Sequence, residues 1–311
     1  MQRESKVALI IIYNHQYNKN IEIVEQIYKN RFSNVYHLVP FYNGDKENVI
    51  PVYENSYYFQ GYVSQGFKSF FKEEYSHYFF LADDMILNPV INEENYREHL
   101  SLSDDTCFIS RLSTIDKAKR FWPMNLHAIM YNTQSPGVEA TGQLPNYSHA
   151  LDLLKKFGIV NKPLKFEYVW RKPQSSKEWM EKIKKNKTFL LRYLKNKVTK
   201  KEYELSYPLV RSYSDIFVIS SSTIKQFCHY AGLFAATRLF VELAIPTALV
   251  FSAKEIKTEK DIQLKGRALW TKEDLSFLDQ YENKLENLLN HFPNDQLYLH
   301  PVKLSKWITD K

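Results

Sequence analysis

Up to Ala82 the chain alternates three apolar runs with two stretches of helical periodicity, a pattern that few folds can accommodate. Residues 7–13 (VALIIIY) are continuously apolar and rich in β-branched side chains, and they end at polar Asn14 and His15. Such a run reads as a strand covered on both faces, as in a parallel sheet. Ile21, Val24, Ile27 and Tyr28 share one face of a helix expected over 21–30. Residues 35–41 (VYHLVPF) form a second strand, closed by the turn Asn43-Gly44-Asp45. Tyr62, Val63, Phe67, Phe70 and Phe71 recur at helical spacing, and residues 78–82 (YFFLA) stop abruptly at Asp83-Asp84. Strand, helix, strand, helix, strand predicts an α/β fold with a mostly parallel sheet flanked by helices.

Beyond residue 110 the pattern loosens. Ser175 and Glu178 have capping-box spacing and open an expected basic amphipathic helix running toward Val198. Residues 216–219 read as a short strand, 223–242 as a helix and 245–251 as another buried strand. Thr271 and Asp274 form a second capping box ahead of an apolar stripe of Leu275, Leu278, Leu285, Leu288 and Leu289. No repeat, low-complexity segment or interdomain linker interrupts the chain. The expectation is one compact unit with two halves, 1–110 and 111–311.

Composition narrows the chemistry. Only 8 of 311 residues are glycine, about 2.6% against roughly 7% in ordinary proteins. Glycine-rich loops hold phosphates by letting backbone N–H groups come close, so a phosphate ligand here calls for a metal or basic side chains. The net charge of +7 points to an anionic partner. Ten Lys/Arg against three Asp/Glu crowd into residues 175–202, an excess that alone equals the net charge of the chain. That stretch admits three readings. It is a solvated helix face, or a contact with an acidic membrane surface, or a nucleic-acid site. The membrane reading draws on Trp179, Met180, Phe189, Leu190, Leu191, Tyr193 and Leu194 beside the lysines. No nucleic-acid recognition motif is present, and no nucleic-acid partner is expected. Cys107 and Cys228 lie far apart and outside any C-x-x-C spacing, which suits buried thiols in a reducing compartment. No apolar stretch reaches membrane-spanning length, so a cytoplasmic location is expected, with peripheral contact at the inner face of the plasma membrane through 175–202.

The strongest local signal is residues 79–87 (FFLADDMIL). Two adjacent carboxylates follow a buried strand, with apolar residues on both sides. Ligands of open α/β sheets bind at the carboxyl ends of strands. A pair of carboxylates there suits a hard divalent cation, which prefers oxygen ligands and can bridge to a diphosphate. The competing reading is a turn, because Asp is common after strands, where it bonds its own backbone or caps a helix.

An apolar strand, Asp-Asp and an apolar continuation, in a segment that itself begins with an apolar strand, resembles the Asp-X-Asp region of GT-A glycosyltransferases over about residues 5–90. Ala82 stands where many members of that family carry the first of three acidic residues. The resemblance implies a GT-A-like, Rossmann-like fold, with a nucleotide-sugar-binding half over 1–110 and a helical acceptor-binding, catalytic half over 111–311. It implies that Asp83 lies near the ribose and that Asp84, together with Asp83, ligates Mn²⁺ or Mg²⁺ at the diphosphate, where the cation offsets leaving-group charge. Tyr13, Asn14 and His15 would lie near the base, joined by Gln60, Gln65 and Lys68 from the helix before the acidic pair. In some members a C-terminal histidine completes the metal shell, a place that His300 would take.

Two further segments, Tyr213-Ser214-Asp215-Ile216-Phe217-Val218 and Phe240-Val241-Glu242-Leu243-Ala244-Ile245-Pro246, are similar to parts of bacterial capsule and lipopolysaccharide glycosyltransferases. That similarity implies transfer of a sugar from a nucleotide-sugar donor to a glycan or lipid-linked acceptor in surface-polysaccharide synthesis. Such enzymes often place an acid in the second half to deprotonate the acceptor hydroxyl. Glu242 sits in an apolar stretch before Pro246, where burial would raise its pKa and suit it to general-base work. The competing reading pairs it with Arg238 at i−4. Asp215 is the other candidate base, against a plain turn residue before a strand. The sequence leaves both inversion and retention at the anomeric carbon open, and the availability of both acids favours inversion. His15, His127, His149 and His300 show no zinc-binding spacing. Two alternatives remain beside the glycosyltransferase: a nucleotidyltransferase using the same carboxylates, and a non-catalytic membrane-surface adaptor built on the basic helix.

Overall fold

The computed structural model describes residues 6–309 apart from 119–121, 123, 136, 141, 170–174 and 186–187. In chain order the strands are β1 (Lys6–Ile12), β2 (Val35–Pro40), β3 (Val49–Val52), β4 (Tyr75–Ala82), β5 (Ile86–Leu87) and β6 (Thr106–Ile109). They continue with β7 (Leu164–Lys165), β8 (Glu202–Tyr203), β9 (Ile216–Ser220), β10 (Glu255–Lys257), β11 (Lys265–Ala268) and β12 (Gln296–His300). Among the described residues, seven strands form one sheet in the order β10-β6-β9-β4-β1-β2-β3. Every neighbouring pair is parallel except at β9, which runs antiparallel to both β4 and β6. The fold is therefore mixed α/β around a large, mostly parallel sheet.

The apolar runs are continuous because both faces of this sheet are covered. Ala8, Ile10 and Ile12 of β1 enter one core, and Val7, Leu9 and Ile11 enter the other. β4 alternates in the same way, with Tyr78 and Phe80 on one side and Phe79 and Leu81 on the other. The helices Gln60–Phe70, Ile224–Ala236 and Val241–Ser252 pack together over the first face. The helix Asn18–Tyr28 and the chain after Phe277 cover the second. A three-stranded sheet, β11-β12-β5, joins that side, with β12 antiparallel to β5. Both cysteines are buried and unbridged.

Three expectations are corrected. Residues 245–251 are not a strand; they lie inside the helix Val241–Ser252, which is buried along almost its whole length. A short apolar run buried on all sides has no periodicity that separates the two structures. Pro246 is tolerated inside this helix because the carbonyl of Glu242, which residue 246 would normally cap, accepts the Ser212 N–H at 3.0 Å instead. The helix expected over 223–242 is two helices. Ile224–Ala236 ends in a Schellman turn in which Leu239 N–H reaches Phe234 O, Arg238 N–H reaches Ala235 O, and Arg238 sits at φ 60°. The basic helix is likewise two, Ser176–Lys185 and Phe189–Val198, with residues 186 and 187 outside the described set. Its N-cap holds, since Glu178 N–H donates to Ser175 Oγ at 3.2 Å. The Thr271–Asp274 capping box is formed in full. The leucine stripe behind it is divided among Lys272–Ser276, a 3-10 turn over Phe277–Tyr281 and Leu285–Asn290.

No helix among the described residues is long and apolar enough to cross a membrane.

Candidate active site

β1, β2 and β3 step outward on one side of β1, whereas β4 returns to its other side, so the strand order reverses between β1 and β4. A crevice at the carboxyl ends of the strands is expected at such a switch point. Asp83 N–H bonds Ile12 O at 2.9 Å and Ala82 N–H bonds Asp215 O at 2.9 Å, which fixes the acidic turn between the ends of β1 and β9. Because β9 is antiparallel, its first residues lie at this same edge, and Asp215 arrives beside the β4 turn. The Ser212 N–H bond to Glu242 O brings the start of the helix Val241–Ser252 to the same place. β12 delivers His300, locked by Val302 N–H donating to Asp84 O at 2.6 Å.

The result is a cavity of about 500 Å³ lined by Asn14, Ser56, Tyr57, Phe59, Asp84, Ser214, Asp215, Phe240, Val241, Glu242, Leu269, Trp270, Leu275, His300, Pro301 and Lys303. None of the chain's glycines lines it. His300 Nε2–H donates to Asp84 Oδ1 at 2.8 Å, and the Tyr213 hydroxyl bonds the other ring nitrogen, Nδ1. Tyr213 in turn stacks on Tyr298, with ring centroids 5.9 Å apart and planes 11° from parallel. The imidazole is thus clamped from both sides.

Acidic groups dominate the electrostatics. Burial pushes the Asp83 carboxyl up to about 7, and the neighbouring Asp84 charge adds to the rise. Asp215 is raised by burial and by Asp84, with His300 opposing. Glu242 is pushed up to about 7 by burial and by Asp215, while Arg211 and Arg111 pull the other way. Burial disfavours the charged form of His300, yet its bond to Asp84 and the nearby Asp215 charge raise its pKa. Arg211, whose charge acts on Glu242, lies over the Trp122 ring at 4.7 Å.

No protein-family model matches the chain, and no curated protein matches it in sequence.

Of the residues singled out in the sequence, Asn14, Asp84, Asp215, Glu242 and His300 come together on the cavity wall. Asp83 does not line it. Only 4% exposed, it accepts the Asn14 N–H at 3.3 Å and supports the turn from beneath. Tyr13 is buried, with its hydroxyl 3.1 Å from His37 Nδ1. His15 is exposed beside Tyr17. Gln60, expected near a nucleotide, is fully buried and donates to Leu239 O at 2.7 Å, pinning the turn between two helices. Gln65 accepts the Tyr53 N–H at 2.8 Å, and Lys68 is exposed; neither lines the cavity. The Glu242–Arg238 pair does not form, because Arg238 Nη1 contacts Glu54 at 3.2 and 3.3 Å. Sequence reasoning missed Tyr213 as the partner of His300, and also Trp270 and Lys303. No local pattern marks them, although Lys303 lies three residues beyond His300.

Asp84 Oδ1 and His300 Nε2 are 2.8 Å apart, and with the Nε2 proton lost both atoms could ligate one cation. Tyr213 on the far nitrogen is the kind of partner that orients a ligating histidine. Among the described residues no three His, Cys, Asp or Glu side chains form a complete cation set. Oxygens of a bound diphosphate and water would fill the remaining positions, as is usual for Mg²⁺. The donor chemistry fits such a group.

Proposed function

We propose that this chain is a glycosyltransferase with a GT-A-type fold, moving a sugar from a nucleotide-sugar donor to a hydroxyl of a glycan or lipid-linked acceptor. One observation carries the reading. Asn14, Asp84, Asp215, Glu242 and His300, from five separate stretches of chain, line a single cavity beside the switch point of a mostly parallel sheet. The donor's nucleotide lies at the β1–β4 edge near Asn14, with its diphosphate between Asp84 and Lys303. Without glycine in the cavity wall, phosphate charge has to be met by cationic groups, and Lys303 is in position. A divalent cation bound by Asp84 and His300 would supply further stabilisation of charge on the leaving diphosphate.

Glu242 is the general base. A carboxyl held up near 7 accepts a proton more readily than an ordinary glutamate and is ionised just above neutrality. As the acceptor oxygen bonds the anomeric carbon, its proton passes to Glu242, the carbon–oxygen bond to the diphosphate breaks, and nucleoside diphosphate departs. Asp215 tunes Glu242 by adding negative charge next to it.

The test is calorimetry of a panel of nucleotide sugars with and without Mn²⁺ on the full chain and on Asp84→Asn. One donor is expected to bind in a Mn²⁺-dependent way, and Asp84→Asn should weaken that binding at least 10-fold while thermal unfolding stays close to the parent's. Failure of every nucleotide sugar to bind, or equal binding by the variant, overturns the assignment. Free nucleoside diphosphate is the expected product; pyrophosphate would instead mean nucleotidyl transfer.

A further inference from the structure

Among the described residues, the helix Phe189–Val198 is anchored to the body through Tyr193 and Asn196. Tyr193, 6% exposed, packs between Phe166 at 5.2 Å and Trp179 at 5.5 Å between ring centroids. Asn196, one turn on, is also buried and donates to the Tyr203 hydroxyl at 3.0 Å. At about 100° per residue, Leu190, Leu194, Val198 and Leu191 occupy an arc of roughly 100° on the side away from these anchors. They are 37%, 46%, 80% and 72% exposed. Exposed Lys197 borders this arc on one flank and exposed Lys195 on the other, with Arg192 beyond it. The preceding helix, Ser176–Lys185, repeats the arrangement on a smaller scale. Met180, 57% exposed, shares a face with exposed Lys177 and Lys184 at i−3 and i+4. Against the sequence expectation, Tyr193 faces the body rather than this outward surface.

We infer that this outward face docks on an anionic lipid surface, with the apolar arc entering the headgroup boundary and the flanking lysines meeting lipid phosphates. Two requirements select that occupant. The partner has to accept an apolar stripe, and it has to carry negative charge along both edges of the stripe. An interfacial helix with leucine and valine on one face and lysine on its flanks has this character. Nucleic acid would meet the lysines but gains from aromatic stacking platforms, and Tyr193, the aromatic residue within this helix whose side chain is described, points inward. A second copy of the chain would cover the leucines but would bring two lysine-rich edges together. The docking proposal does not depend on the reaction assigned to the cavity, so the two can fail separately.

The experiment is co-sedimentation of the full chain with phosphatidylcholine vesicles, either pure or containing roughly 30 mol% phosphatidylglycerol, at low and high salt. Binding is expected to the anionic vesicles only, and to weaken as salt rises. Leu191→Ser with Leu194→Ser should reduce partitioning at least 10-fold. Lys195→Glu with Lys197→Glu should do the same, and both variants should keep the parent's unfolding temperature because all four side chains are exposed. Equal binding to neutral vesicles, no binding to anionic ones, or variants that partition like the parent would overturn the inference. So would a parent that is dimeric by light scattering and becomes monomeric on the leucine substitutions. Oligonucleotide binding lost in the lysine variant, with vesicle binding unchanged, would overturn it in favour of nucleic acid.

Discussion

Glu242 titrates near 7 in the folded protein, against an ordinary value of 4.5, because burial and the Asp215 charge disfavour its ionised form. The folded state therefore holds this proton more tightly than the unfolded chain does. Below the ordinary value both states are protonated and the shift contributes nothing. As pH rises from there toward 7 the unfolded chain ionises first, stability falls, and above 7 the full penalty is present. Glu242→Gln, which removes the charge and keeps the shape, should be more stable than the parent by about 1–2 kcal/mol at pH 8, with the gap closing near pH 4. Urea unfolding at the two pH values measures this, and a gap of equal size at both would mean that desolvation is not its source. Turnover in the same variant should fall by about 100-fold or more if Glu242 is the base. Asp84 and Glu242 were both legible in the sequence, since an acid embedded in apolar residues is unusual wherever it occurs. Tyr213 was not, because its role is defined by a histidine 87 positions away.

The helix Val241–Ser252 shows how a single element carries the site. Its apolar run resembles a strand, and burial of both strand faces or of a whole helix circumference leaves the same trace in sequence. Segment 207–215, which ends in Asp215, is bound along it. Ser212 N–H takes the Glu242 carbonyl that Pro246 leaves free, and Val210 N–H donates to Thr247 Oγ1 at 3.0 Å. Thr247 and Val210 are both fully buried. Thr247→Val keeps the volume but strands a buried N–H, which costs about 1–3 kcal/mol. Chemical denaturation should show that loss, and Thr247→Ser, which retains the acceptor, should recover most of it. If valine were tolerated without cost, this lacing would not be what holds Asp215 and Glu242 in register.

At the scale of the molecule, the cavity is assembled from segments of the seven-stranded and the three-stranded sheets. Asn14 and Asp84 leave the large sheet, Trp270 and His300 leave the small one, and the Asp84–His300 bond joins the two. A ligand seated there would cross-link the two sheets and bind the folded state alone. At about 100 times its dissociation constant, such a ligand adds about 2.7 kcal/mol of stability. For a chain of this size that corresponds to about 5 °C in the unfolding midpoint. Mn²⁺ together with the donor's nucleoside diphosphate should therefore raise the midpoint by that amount in the parent. The rise should be absent in Asp84→Asn, and scanning calorimetry would register the difference.

Local pattern alone determined β1, β2 and β4, the helices between them, the parallel core and the acidic pair at its edge. Both faces of that sheet are covered, so burial writes itself directly into consecutive apolar residues. The tertiary structure alone decided that β9 enters the sheet antiparallel, which brings Asp215 to the edge that bears the cavity, and that His300 reaches Asp84 across 216 positions of chain. It also turned Gln60 inward as a pin and paired Arg238 with Glu54, leaving Glu242 near the Arg211 and Arg111 charges. These outcomes depend on which buried polar groups find partners once the layers close. That is a property of three-dimensional proximity, and no spacing along the chain records it.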